Sequence, residues 1–176
     1  MLLHNTAYCE TILQNDRLIL RPLLIKDATA ISGIRSDERV NKYINRASQL
    51  SEFGAKEFIL KIQKGYEIQQ WFYWAIYLKS EQQIVGTICL FHIDEIENTA
   101  ELGYELSSHY HRRGIIKEAI QEVLKFAKSI SISKLYAYTN PDNIASVKLL
   151  EMFQFSIDGL KIDANQQNEV FSKYLH

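Results

Sequence analysis

The sequence predicts a mixed α/β fold: one sheet, partly antiparallel and partly parallel, with helices packed on it in the order β-α-α-β-β-β-α-β-α-β-β. Three observations predict it. Residues 71–107 hold three strand-like runs separated by the short turns "SEQQ" and "EIEN", the pattern of an antiparallel meander. A strongly amphipathic stretch then separates two further strand-like runs, which calls for a parallel crossover. The chain closes on two runs that read as a hairpin.

Taken in order, "DRLILRPL" (Asp16 to Leu23) alternates and ends near Pro22, as a first strand would. Asp27 is placed to cap a helix with Ala28, Ile31 and Ile34 on one face. Ser51 is placed to cap a second, with Phe58, Ile59 and Ile62 spaced for burial. The meander follows as Trp71 to Lys79, Ile84 to Asp94, and Thr99 to Ser107, with Gly86 marking a bulge or a close approach. Trp71, Phe72, Tyr73 and Trp74 must divide between two faces of one strand. The inward pair belongs to the core, and the outward pair is expected in the core, at the acceptor groove or at a dimer contact. Ile116, Ala119, Ile120, Val123, Leu124 and Ala127 then form one apolar helical stripe. "KLYAYTN" is the next strand, and Asp142 or Asn143 caps a helix after Pro141.

Composition bounds the function. The 176 residues carry a formal net charge of -1, so nothing pulls the whole chain toward nucleic acid or an anionic membrane. No run approaches the roughly 20 apolar residues of a membrane span. Cys9 and Cys89 are far apart and read as free thiols of a reducing compartment, so a cytoplasmic protein is expected. Without a repeat or a Pro/Gly-rich linker, residues 1–176 are expected to form a single domain, residues 1–15 being an N-terminal extension.

"HYHRRGIIKEA" (residues 109–119) is the stretch that points to chemistry. A glycine stands where a helix begins, and the first turn of a helix presents unpaired N–H groups and a positive dipole end. Gly114 lets the backbone approach an anion, and Arg112 and Arg113 can add charge-assisted contacts. The bland reading is a turn with solvated charge. His109 and His111 lack further ligands at a suitable spacing, so no metal site is expected.

The wider context favours the phosphate reading. "AELGYELSSHYHRRGIIKEA" followed by "TNPDNIASVKLLEMFQF" resembles the acetyl-CoA-binding core of the GNAT superfamily of N-acetyltransferases, and within it the ribosomal-protein N-terminal acetyltransferases. "DRLILRPL" and "IVGTICL" resemble other strands of that branch, so the likeness runs from about Asp16 to Phe155. The resemblance implies a V-shaped opening between the third meander strand, ending near Leu106, and the strand "KLYAYTN". It implies that acetyl-CoA lies there as co-substrate, with its pyrophosphate on the backbone of His111, Arg112, Arg113, Gly114, Ile115 and Ile116. The family pattern has Gln or Arg where this chain has His111, and Gly or Ala where it has Ile116. Gly114 alone is kept. Asn143 and Ser146 match the family's Asn-x-x-Ser, whose side chains touch the cofactor.

Acetylating an amine requires a base for its proton and stabilisation of the departing thiolate. Glu101 and Glu105 share one side of their strand. Glu101 matches an acidic position frequent in the family and is the candidate base, while Glu105 is expected on the solvent face. Many relatives carry a tyrosine seven residues after the asparagine. Leu150 stands there, which leaves Ser146 or water as the proton donor. The expected acceptor is a primary amine, first a protein N-terminal amine. A small-molecule amine (polyamine, amino sugar or antibiotic), a non-catalytic acyl-CoA sensor and a homodimer are further expectations.

Overall fold

The structure, a computed structural model, describes residues 11–175 apart from 45, 47–49, 69 and 164–165; the side chains of 161–163 and 166–167 also lie outside the description. Cys9 and most of the N-terminal extension fall outside it. Eight strands form one sheet in the order β1-β2-β3-β4-β5-β6-β8-β7. They are β1 (Leu13–Gln14), β2 (Leu18–Pro22), β3 (Phe72–Leu78), β4 (Gln83–Asp94), β5 (Thr99–Leu106), β6 (Lys134–Thr139), β7 (Ser156–Asp163) and β8 (Gln166–Tyr174). The helices are α1 (Ala28–Ser36), α2 (Glu38–Asn41), α3 (Glu52–Glu67), α4 (Ile115–Ser129) and α5 (Ile144–Met152). Strands β3 to β5 form the expected meander. Because α4 crosses over between them, β5 and β6 run parallel. The last strand, β8, pairs with β6 and pushes β7 to the edge. No helix among the described residues is long and apolar enough to cross a membrane.

The sheet is covered on both faces. On one, Leu18, Leu20, Phe72, Trp74, Ile88 and Leu102 pack against the stripe of α4. On the other, Leu23 and Ala75 pack against Ala28 and Ile31 of α1 and Ile59 and Ile62 of α3. The aromatic run of β3 is used on both faces. Phe72 and Trp74 stack at 5.7 Å and meet the edge of Phe126 of α4 at 4.7 and 5.4 Å. Tyr73 meets Phe58 of α3 edge-on at 5.7 Å, and Trp71 Nε1 donates to Ile62 O at 3.0 Å. Phe72 and Trp74 are therefore core, while Trp71 and Tyr73 are half-buried against α3 and are not among the residues that line the cavity described below.

Local chemistry explains most element ends. The Ser51 hydroxyl accepts from Gly54 N at 3.1 Å and caps α3. Asn143 Oδ1 accepts from Ser146 N at 3.3 Å and caps α5, which decides between Asp142 and Asn143. Asp27 departs from expectation. Its carboxylate accepts from Leu24 N (2.8 Å) and from both guanidinium nitrogens of Arg21 (2.7 and 2.8 Å), so it holds the 3-10 turn Ile25–Asp27 and makes no side-chain cap on α1. Gly86 meets both of its expectations. The β3–β4 register shifts beside it, and a Cβ there would stand 2.4 Å from Glu105 O.

Candidate active site

β5 and β6 are partners over three residue pairs, Thr99↔Lys134, Ala100↔Leu135 and Glu101↔Tyr136. Beyond Glu101 they part. β5 stays with β4 as far as Leu106↔Gly86, and β6 stays with β8 as far as Thr139↔Glu169. The strand edges that face each other across the gap carry backbone N–H and C=O groups with no strand partner. A cavity of about 1020 Å³ fills the gap, lined by Leu102 to Leu106, Ala137 to Asn140, the start of α4 and the start of α5.

One end of this cavity is the loop read from the sequence. Gly114 caps α4 with φ 76° and ψ 2°, a left-handed conformation suited to glycine, and a Cβ would find no atom within 4 Å. The first helical bond runs from Glu118 N to Gly114 O at 3.1 Å, so the N–H groups of Ile115, Ile116 and Lys117 precede the ladder. His111, Arg112, Gly114, Ile115, Ile116 and Lys117 line the cavity. The Arg113 side chain does not line it. Its guanidinium pairs with Glu81 at 2.9 Å and lies 4.9 Å over the Tyr110 ring. The His111 ring also turns inward, Nε2 hydrogen-bonding the Leu106 carbonyl at 3.1 Å. The arrangement suits a polyanion: unpaired amides, an open approach at Gly114, and cations at Arg112 and Lys117.

Further along, Asn143 and Ser146 face the gap from α5. Ser146 Oγ lies 2.8 Å from the Tyr104 hydroxyl of β5. Burial pushes the Tyr104 phenol up to about 12, and the Ser146 hydrogen bond offsets part of that rise. Tyr104 was not anticipated from the sequence. Alternation along β5 puts it on the helix side, but its meeting with Ser146 spans 42 positions of chain. Leu150, where the resemblance leads one to expect a tyrosine, is 1 % exposed and also lines the cavity.

The two glutamates have different fates. Glu105 was expected on the solvent face, yet it is 8 % exposed and lines the cavity. The face it shares is roofed by α1, and its charge is held there by Arg35 Nη1 at 3.3 Å and Arg46 Nη1 at 2.5 Å, with the Thr87 hydroxyl donating at 3.2 Å. Glu101 lies where β5 and β6 are still paired. Its Oε1 lies 3.1 Å from His92 Nδ1, and it shares a hydrogen bond with Tyr138, which does line the cavity. His92 sits in the irregular β4–β5 register with φ 47°, outside ordinary strand geometry. Burial raises the Tyr138 phenol, and the neighbouring Glu101 adds to the rise. Cys89 beside them is pushed up to about 12, mainly by burial and then by Glu105, so it stays a thiol. Among the described residues no group of three or more His, Cys, Asp or Glu could hold a metal.

Comparison with known proteins agrees with this geometry. Residues 17–156 match the family described as Acetyltransferase (GNAT) domain. The chain is 30% identical over 158 residues to the uncharacterized N-acetyltransferase YoaA of Bacillus subtilis, covering 89% of each chain. It superimposes on the ribosomal-protein-S5-alanine acetyltransferase of Vibrio fischeri with a TM-score of 0.83 at 21% identity, covering 94% of this chain and 97% of that one. It superimposes on the spermidine N-acetyltransferase of Vibrio cholerae, solved with CoA and spermine, with a TM-score of 0.78 at 18% identity, covering 92% and 97%. A sheet that parts between β5 and β6, an amide-lined helix start at one end of the gap, and a family match over most of the chain make this protein an N-acetyltransferase of the GNAT family.

Proposed function

We propose that the enzyme transfers the acetyl group of acetyl-CoA to the α-amine at a protein N-terminus, by direct attack of the amine on the thioester. The observation that carries this reading is the cleft between β5 and β6, with an anion site at the start of α4 and the Ser146–Tyr104 pair inside it. The free edge of β5 up to Leu106 offers backbone groups to the pantetheine arm. The amides of Ile115, Ile116 and Lys117, with Arg112, take the pyrophosphate, and Asn143 and Ser146 flank the arm from α5. The fold shared with an enzyme that acetylates a ribosomal-protein alanine supports the choice of acceptor.

In this reading the amine nitrogen attacks the thioester carbonyl, a C–N bond forms and the C–S bond breaks. The amine proton passes to Glu101, with the Tyr138 hydroxyl bridging from the cavity to the carboxylate. The Ser146 hydroxyl steadies the departing thiolate. Glu105 cannot serve as base while both of its oxygens are held by arginines. Acetyl-CoA is supplied with a panel of N-terminal peptides and small amines, and thiol release is followed. Turnover on peptides is expected, and silence on every amine overturns the reading. Glu101→Gln is expected to lower kcat about 100-fold, within the usual range for a lost general base. An unchanged kcat removes Glu101 from the mechanism.

A further inference from the structure

We infer that the acceptor carries a negatively charged group, a carboxylate or a phosphate within the residues next to its amine, and that Lys42 holds it, with the charge of Arg46 behind the cavity wall in support. The inference rests on the acetyl-transfer reading above and adds to it the charge of the acceptor.

The cavity has two basic walls. One belongs to the phosphate loop, with Arg112 and Lys117. The other comes from the segment of α2 and the residues after it, where Arg39, Lys42, Tyr43 and Ile44 line the cavity. Glu105 is the one carboxylate among the described lining residues, and it already faces two guanidiniums, Arg35 at 3.3 Å and Arg46 at 2.5 Å. That cluster therefore keeps a surplus positive charge directly behind the cavity wall. Arg46 donates from Nε to Asn41 Oδ1 at 2.6 Å, while its Nη2 is buried with no hydrogen-bond partner among the described residues. A buried guanidinium N–H without an acceptor is costly, and a negative charge arriving at the wall in front of it would offset part of that cost.

Lys42 adds to the same wall. Its Nζ lies 4.9 Å over the Tyr43 ring, and among the described residues no carboxylate stands within ion-pair distance of it. Its first polar partner is the Tyr43 hydroxyl, and Lys42 and Asn143 line the same cavity, the one from the segment after α2 and the other from the start of α5. Arg39 is different, being paired with Asp37 at 3.3 Å. The cleft thus offers Tyr138, with Glu101 behind it, to an amine, and the positive wall at Lys42 to an anion on the same molecule. A polycation such as spermidine would bring positive charge to a positive wall, where like charges raise the cost of binding.

The test uses the intact protein, acetyl-CoA and peptides of equal length sharing one N-terminal residue. Their second and third residues are both Glu, both phosphoserine, both Gln or both Lys, and spermidine is a further acceptor. The Glu or phosphoserine peptide is expected to exceed the Gln peptide in kcat/KM by about tenfold or more, the worth of one charge-assisted contact. Whichever of the two leads distinguishes carboxylate from phosphate. Lys42→Glu is expected to erase or invert the order, with the change in the peptide KM and none in the acetyl-CoA KM. Arg46→Lys is expected to keep the preference that Arg46→Gln loses, and thermal melts identify any variant that has lost its fold. Equal turnover of Glu, Gln and Lys peptides, or an order unmoved by Lys42→Glu, overturns the inference and leaves acetyl transfer standing. Thiol release with none of the acceptors overturns the acetyl-transfer reading and this inference with it.

Discussion

Tyr104 and Ser146 reach each other from β5 and α5, 2.8 Å apart inside the gap. With its phenol held up to about 12 by burial, Tyr104 keeps its proton at neutral pH and can donate it to Ser146 Oγ. The Ser146 hydrogen is then free to point at the leaving sulfur. Tyr104→Phe and Ser146→Ala are each expected to lower kcat about three- to tenfold, the usual worth of one neutral hydrogen bond. The double variant is expected to lose no more than Ser146→Ala alone. Steady-state rates at saturating acetyl-CoA check this, and additive losses would show that the two hydroxyls act separately.

At the scale of elements, two glycines do different work. Gly86 lets β4 run close against β5. A Cβ there meets the Glu105 carbonyl at 2.4 Å and the Leu106 Cα at 3.1 Å, and backbone cannot swing aside as a side-chain tip can. Gly86→Ala is expected to destabilise the protein by about 1–3 kcal/mol, the usual cost of forced overpacking. A thermal or urea melt measures it. Gly114 has open space around its Cβ position, and its φ of 76° sets the cost. Gly114→Ala is expected to lose about 1–2 kcal/mol from the left-handed backbone, and to raise the KM for acetyl-CoA because the methyl group enters the anion approach.

At the scale of the whole molecule, Asp37 ties the acceptor wall to the phosphate loop. It caps α2 by accepting from Arg39 N at 2.9 Å, and the Ser108 hydroxyl donates to its other oxygen. Burial alone would raise this carboxyl, but the hydrogen bonds from Ser108 and Arg39 outweigh it and lower it from 3.8 to about 2. A folded-state value below the unfolded one gives stability that is present above pH 3.8 and is lost as pH falls toward 2. Asp37→Asn is expected to be less stable at neutral pH and to show a weaker acid dependence between those limits. Circular dichroism melts across the acid range read both, and an unaltered acid transition would remove Asp37 from that role.

The sequence by itself determined the pieces with local causes. The stripe of α4 follows from helical period, the meander from short turns, the α3 and α5 caps from Ser51 and Asn143, and the anion-ready turn from Gly114. Tertiary structure decided whatever depends on two distant segments meeting. Glu105 reads as a solvated strand residue until α1 and the segment after α2 bring Arg35 and Arg46 to it. Asp27 reads as a helix cap until Arg21 claims it. The Arg113 side chain reads as a phosphate ligand until Glu81 draws it away. The physical reason is the same each time. Hydrophobic period and backbone capping are satisfied within a few residues, whereas a charge binds whichever counter-charge the packed fold sets beside it.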